Sequence, residues 1–200
     1  MGRFPDLWLA VNERAFGRAF PVSYMHDQDV KVTLKHIYIS PGHNYYGRHG
    51  IGSMDFPIEE KDSIVCLEGR GIEDDRFLDY KDDYKGQITF FDWAVYEKVR
   101  DEIVKGELDP VAFRRNVMVQ GIDLNDLIDK HFSLGGLEFT GSCECSPCYW
   151  MDEACAPGTH EFLKGRGGLR ARIVKGGGLA TGEYELKILG DVERREDANA

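Results

Sequence analysis

Cys143, Cys145 and Cys148 fall within six residues, and Cys155 follows seven residues later. Nowhere else in the chain are reactive side chains so concentrated. Thiolates bind soft metals or carry sulfur. Arg114, Arg115 and Asn116 precede the cluster, and Lys164, Arg166, Arg170 and Arg172 follow it. A guanidinium offers a planar fork of donors suited to phosphate and other oxyanions. The types and spacing together point to a site for an anion and a soft atom.

Spacing leaves three uses of the cysteines open. Cys143, Cys145, Cys148 and Cys155 could supply four thiolates to zinc or an iron–sulfur cluster. The paired knuckles separated by a dozen or more residues that mark most zinc sites are missing. Alternatively, Cys148 works alone, set in place by Pro147 and walled by Tyr149 and Trp150. A lone thiolate among cations is a good soft ligand or sulfur acceptor. In the third reading the thiols are buried and inert.

The arginines also have two readings. Arg114 and Arg115 follow a helix start at Asp109-Pro110, where unpaired backbone N–H groups favour anions. Lys164, Arg166, Arg170 and Arg172 lie within nine residues among three glycines. Arg170 and Arg172, two apart, share one face of a strand. Glycine-rich backbone can approach a phosphate closely, although this is not a P-loop. The plainer reading is a solvated hairpin. His43 and His49 match no standard metal pair. Glu73-Asp74-Asp75-Arg76 reads as a solvated turn in which Asp75 could orient an arginine.

Short strands and turns must position these groups. Val30, Val32 and Leu34 alternate with polar residues, and Ile37-Tyr38-Ile39 continues the strand. Further strands are expected at 63–67, 88–91, 171–174 and 184–188, with a pair around Gly135-Gly136. Gly176-Gly177-Gly178 and Thr181-Gly182-Glu183 read as turns. Asp92 caps a helix running to about Lys105, and Asp123 caps a short turn at 124–128. The expected class is mainly β, a barrel or sandwich with a few short helices.

The organisation expected is an N-terminal extension over 1–28, one domain over 29–190 and a flexible tail over 191–200. Phe4, Leu7, Trp8, Val11 and Ala15 suit an amphipathic helix in the extension. A net charge of -10 and a pI near 5.1 argue against general binding to nucleic acid or anionic membranes. No apolar run approaches the roughly 18 residues of a membrane span, and no signal-peptide cleavage pattern is evident. Five cysteines, three of them clustered, suit a reducing cytoplasmic setting better than a disulfide framework.

At these residues the sequence resembles the MOSC family, the domain named for the carboxy-terminal part of molybdenum cofactor sulfurase. The likeness is to its small stand-alone bacterial members. It is carried by His36-Ile37-Tyr38-Ile39-Ser40-Pro41-Gly42-His43-Asn44, Gly69-Arg70-Gly71-Ile72 through Arg76-Phe77, and Tyr84 to Phe91. It continues through Phe113-Arg114-Arg115-Asn116-Val117, Pro147-Cys148-Tyr149-Trp150-Met151-Asp152 and Gly165 to Arg172, ending at Gly176-Gly177-Gly178.

The resemblance implies a strand-rich barrel that binds the molybdenum cofactor (molybdopterin). It makes Cys148 the catalytic thiol, binding molybdenum or carrying sulfur as a persulfide. Its Arg-x-Asn motif makes Arg114 and Asn116 cofactor contacts, and the basic residues Arg166, Arg170 and Arg172 are expected to join them. It further implies a sulfur carrier or an oxidoreductase acting on N-hydroxylated compounds, served by a sulfur donor or redox partner protein. Asp74 stands where many members of the family carry glycine. Cys143, Cys145 and Cys155 lie outside the general pattern. The pyridoxal phosphate domain of the sulfurases has no counterpart here.

Overall fold

The computed structural model describes residues 29–45 and 51–192. The expected amphipathic helix over 1–28, His49 and the tail beyond residue 192 lie outside the described residues. The alternation from Val30 forms strand β1 (Val30–Ile39), which buries Val32, Leu34, Ile37 and Ile39. The other strands are β2 (Glu59–Lys61), β3 (Ser63–Leu67), β4 (Gly71–Ile72), β5 (Ile88–Asp92) and β6 (Val117–Gln120), then β7 (Lys130–Leu134), β8 (Leu137–Glu144), β9 (Leu169–Lys175), β10 (Gly177–Ala180) and β11 (Gly182–Asp191).

Seven of them close on themselves in the order β1, β11, β7, β8, β9, β5, β6 and back to β1. Closure leaves no unpaired edge in the ring. All neighbours are antiparallel except β5 and β6, which run parallel. β2 extends the far half of β1, and β10, β3 and β4 form a small separate sheet. The protein is therefore a mainly β barrel with few helices, as the periodicity predicts.

The barrel is filled by side chains such as Leu34, Ile88, Ala171 and Ile173 and by three phenylalanines. Phe132 stacks on Phe139 at 5.5 Å between centroids, and Phe90 meets Phe139 edge-on at 5.6 Å. A second core lies outside the barrel. There Phe91 stacks on Phe113 at 4.5 Å, among Tyr96, Val99, Met151 and Leu163. β5 is thus covered on both faces, which explains its unbroken apolar run.

Helix α1 (Trp93–Lys98) begins where expected, with Asp92 Oδ1 accepting the Ala94 N–H at 2.8 Å. It widens into a π-helical stretch, Val99–Val104, and Lys105 at φ 55° closes it in place of the expected Gly106. Asp109-Pro110 and Asp123 start 3-10 turns, Pro110–Phe113 and Leu124–Leu127. Helices α2 (Trp150–Ala154) and α3 (Thr159–Phe162) are too short to leave a periodic signature. β6, a four-residue segment with three successive buried residues, shows no alternation. The glycines expected as a turn at 176–178 instead lead into β10, because Gly177 and Gly178 pair with Cys66 and Val65. Among the described residues no helix is long and apolar enough to cross a membrane.

Candidate functional site

Register brings the distant motifs to one end of the barrel. Glu144 pairs with Leu169, Leu169 with Phe90, Phe90 with Val117, and Val117 with Ile37. The segments just beyond this row therefore meet: Cys145 after β8, Gly167 and Gly168 before β9, Arg114 to Asn116 before β6, and Ser40 after β1. Glycine is required at this junction. A Cβ on Gly167 would lie 2.3 Å from the Cys145 carbonyl oxygen, and one on Gly168 would lie 2.2 Å from that of Phe90. Gly168 also has φ +94°. Above the junction opens a cavity of about 630 Å³.

Two of the clustered thiols line this cavity. Cys148 is exposed, whereas Cys145 retains only 6% of its surface. The Cys145 N–H donates to the Gly168 carbonyl at 2.7 Å, and the Cys148 carbonyl accepts the Met151 N–H at 3.0 Å. Cys143 lies on β8 opposite Arg170. Cys155 ends α2 and packs on the second core, where burial, with Asp152 adding to it, pushes its thiol up to about 11. Burial in the barrel pushes Cys66 up to about 12. Among the described residues no three His, Cys, Asp or Glu side chains form a group able to hold a metal ion. The four-thiolate arrangement that spacing left open is not assembled.

Guanidinium groups supply the cavity's charge. Arg114 caps its 3-10 turn at φ 53°, which aims its side chain inward. Its Nη2 donates to the Gly42 carbonyl at 3.2 Å, and the group lies 5.5 Å from the Tyr45 ring centre. Its Nη1 is buried with no hydrogen-bond partner among the described residues. Burial and the neighbouring Arg76 hold Arg114 down at about 10. Arg170 also lines the cavity. Burial alone would lower it, but Cys145, Tyr84 and Cys143 oppose that, and the net direction is upward.

Arg76 is the cavity residue that sequence reasoning missed. The expected solvated turn is partly buried: the Arg76 side chain retains 9% exposure and that of Asp75 none. Arg76 Nη1 donates to Asp75 Oδ2 at 3.3 Å, Nη2 donates to the Arg114 carbonyl at 3.2 Å, and the group lies over Phe77. Burial lowers its pKa, and Asp75 works against that. The signal available was Phe77-Leu78 directly after the charges, an apolar pair that anchors the turn. Asp74 holds φ 62°, a conformation Asp tolerates better than most residues, so the turn forms without the glycine.

The remaining expected contacts lie elsewhere. Asn116 is 1% exposed and does not line the cavity. Its Oδ1 accepts from the Thr89 N–H at 3.0 Å and the Thr89 hydroxyl at 2.8 Å, while its Nδ2 donates to the Tyr38 carbonyl at 3.1 Å. Arg172 shares the outer face of β9 with Arg170 but binds Asp83 Oδ1 at 2.9 Å and Ser142 Oγ at 3.0 Å. Arg166 is exposed, donates to the Phe162 carbonyl at 2.8 Å and borders a separate cavity of about 240 Å³. Arg115 reaches the cavity but spends its donors on the carbonyls of Gly167, Phe113 and Cys145.

Aromatic faces complete the walls. Tyr45 lies 4.6 Å from Trp150, and Tyr84 lies 5.3 Å from Phe77. His43 meets Phe77 edge-on at 4.9 Å. Burial and the positive charges of Arg76 and Arg114 lower its pKa, which favours the neutral imidazole. Among the described residues that line the cavity there is no carboxylate. The cavity therefore attracts anions, offers flat faces to a planar ring and presents a soft atom.

The sequence profile described as MOSC domain matches residues 78–184. Similar solved structures include the YuaD protein from Bacillus subtilis, with TM-score 0.62 and 16% identity over 80% of this chain and 97% of that one. YiiM from Geobacillus stearothermophilus gives 0.56 and 12% over 78% and 74%. YiiM from Escherichia coli gives 0.51 and 17% over 79% and 71%. At these identities the likenesses establish the fold. No curated protein matches the chain.

Proposed function

The chain belongs to the MOSC domain family, and we propose that its cavity binds the molybdenum cofactor with Cys148 as the soft ligand. The observation that carries this reading is one cavity holding an exposed thiol and four guanidinium groups, with no carboxylate among the described residues that line it. Within it the buried Arg114 Nη1 has no acceptor among the described residues. An unsatisfied buried donor costs about 1–3 kcal/mol, which an anionic ligand would recover. These residues fit a group that combines a phosphate, a planar ring system and a thiophilic metal.

Arg76, Arg114 and Arg170 would hold the anionic and polar edges, and Tyr45, Trp150 and Tyr84 would cover ring faces and exclude water. When bound, the cofactor supplies two-electron redox chemistry, for which N-hydroxylated compounds are fitting acceptors. His43, neutral at pH 7, can exchange a hydrogen bond with a ligand without adding charge. Arg166 and Arg172, engaged outside the cavity, have no direct part in this arrangement. The exposure of Cys148 supports a second use of the same thiol, receiving sulfur from a donor protein.

Elemental analysis of protein purified from cells that make the cofactor tests the reading. Near-stoichiometric molybdenum in the wild type, lost in Cys148→Ser, is expected. Molybdenum absent from the wild type, or retained by Cys148→Ser, would overturn it.

A further inference from the structure

The proposed site uses one thiol, yet the cavity holds two. Cys148 is open to solvent, whereas Cys145 is buried and lines the same cavity as Arg170, Arg76 and Tyr84. Only Ser146 and Pro147 separate them in sequence, and Pro147 stiffens the link. The segment is fixed at both ends, by the Cys145 N–H on Gly168 and by the Met151 N–H on the Cys148 carbonyl. The Arg115 guanidinium further ties the Cys145 carbonyl in place at 3.0 Å. Cys66 and Cys155 are packed in apolar cores and take no part.

We propose that the two thiols form a sulfur relay, with Cys148 the entry point and Cys145 the internal store. The inference rests on the sulfur-receiving use of Cys148 given above. In the first step the Cys148 thiolate attacks the outer sulfur of a donor persulfide. A new S–S bond forms on Cys148, the donor's S–S bond breaks, and the donor leaves as a thiol carrying the proton. In the second step Cys145 attacks the same outer sulfur. The S–S bond on Cys148 breaks, Cys148 returns to a thiol, and the persulfide resides on Cys145. Each step exchanges one persulfide and one thiol for another such pair, so no oxidant or reductant is consumed.

The direction follows from the surroundings. A persulfide is a stronger acid than its parent thiol, so its anion gains more from adjacent guanidinium groups in a poorly solvated pocket. Burial also shields the transferred sulfur from free thiols in solution, to which a persulfide on exposed Cys148 stays open.

The test treats wild type, Cys148→Ser, Cys145→Ser and Cys143→Ser with glutathione persulfide. Samples are alkylated at successive times and the persulfide-bearing peptides are identified by mass spectrometry, with melting curves confirming that each variant is folded. The relay predicts that label appears first on Cys148 and accumulates on Cys145 in the wild type and in Cys143→Ser. In Cys148→Ser, loading of Cys145 slows by about tenfold or more, because the buried thiol has lost its accessible partner. In Cys145→Ser, label stays on Cys148 and is discharged by added glutathione. Wild type labelled on Cys148 alone would overturn the relay and leave sulfur reception intact, as would Cys145 loading at full rate in Cys148→Ser. No label on either thiol would overturn both.

Discussion

Asn116 Nδ2 donates to Asp75 Oδ2 at 3.3 Å, with both side chains buried and 41 residues apart in sequence. The same Oδ2 accepts from the Ser40 N–H at 3.1 Å and from Arg76 Nη1, and Oδ1 accepts the Phe77 N–H at 3.1 Å. Asn116 joins β1, β5 and the 75–77 turn through Tyr38, Thr89 and Asp75. It therefore positions Arg76 without facing the cavity. Asn116→Ala strands several buried partners and should cost about 2–4 kcal/mol in urea unfolding, as expected when a buried network is broken. Asp75→Asn keeps the shape but removes the counter-charge of Arg76, so it should weaken folding while leaving a net more positive cavity.

Arg114 should make anion binding sensitive to pH at the alkaline end. Its folded-state value near 10 lies below the ordinary arginine range, so folding disfavours its charged form. Between that value and the ordinary one the unfolded chain binds the extra proton, and this group's contribution to stability rises with pH. Binding of phosphate, which needs the guanidinium charged, should fall as pH rises through about 10. Calorimetric titration at pH 8 and above 10 measures it, and Arg114→Gln should abolish the pH dependence along with most of the affinity.

The cysteines should separate cleanly by reactivity. Burial holds Cys66 at about 12 and Cys155 at about 11, so little of either is thiolate at neutral pH. Iodoacetamide should label Cys148 within minutes and leave Cys66 and Cys155 unlabelled until denaturant is added, as read by peptide mass spectrometry.

The second core links the barrel to the site. Phe91→Ala removes the ring stacked on Phe113, directly before Arg114. A loss of about 3–5 kcal/mol is expected for a fully buried phenylalanine, measured by chemical denaturation. Phosphate affinity should fall as well, because Phe113 sets where Arg114 leaves its turn.

Much of the architecture was legible because alternation and turn residues report burial locally. Val30 to Ile39, the hairpin around Gly135-Gly136 and the caps at Asp92, Asp109 and Asp123 all lie where their patterns put them. β6, with three successive buried residues, and α2 and α3, at five and four residues, carry no periodic signal and were missed. Within the cavity, chemistry picked out Cys148, Arg114 and Arg170 as candidates. It did not distinguish Arg170 from Arg172, because both point outward from β9 and only the neighbouring elements decide which faces the cavity. Asp75 and Arg76 read as solvated because charge suggests exposure, whereas their mutual pairing and Asn116 make burial tolerable.

The row Ile37, Val117, Phe90, Leu169, Glu144 sets the tolerance of this architecture to change. The cavity groups hang from strand ends, so backbone hydrogen bonds between neighbouring strands set their spacing, and side chains such as Asn116 and Phe113 refine where Arg76 and Arg114 sit. A single residue inserted into β6 or β9 would displace Arg114 or Gly168 by about 3.3 Å and turn inward residues outward. Insertions at the exposed residues 105–107, between Val104 and Leu108 of the second core, should leave the cavity dimensions unchanged. Sequence can therefore drift widely over this scaffold while length within those strands stays fixed.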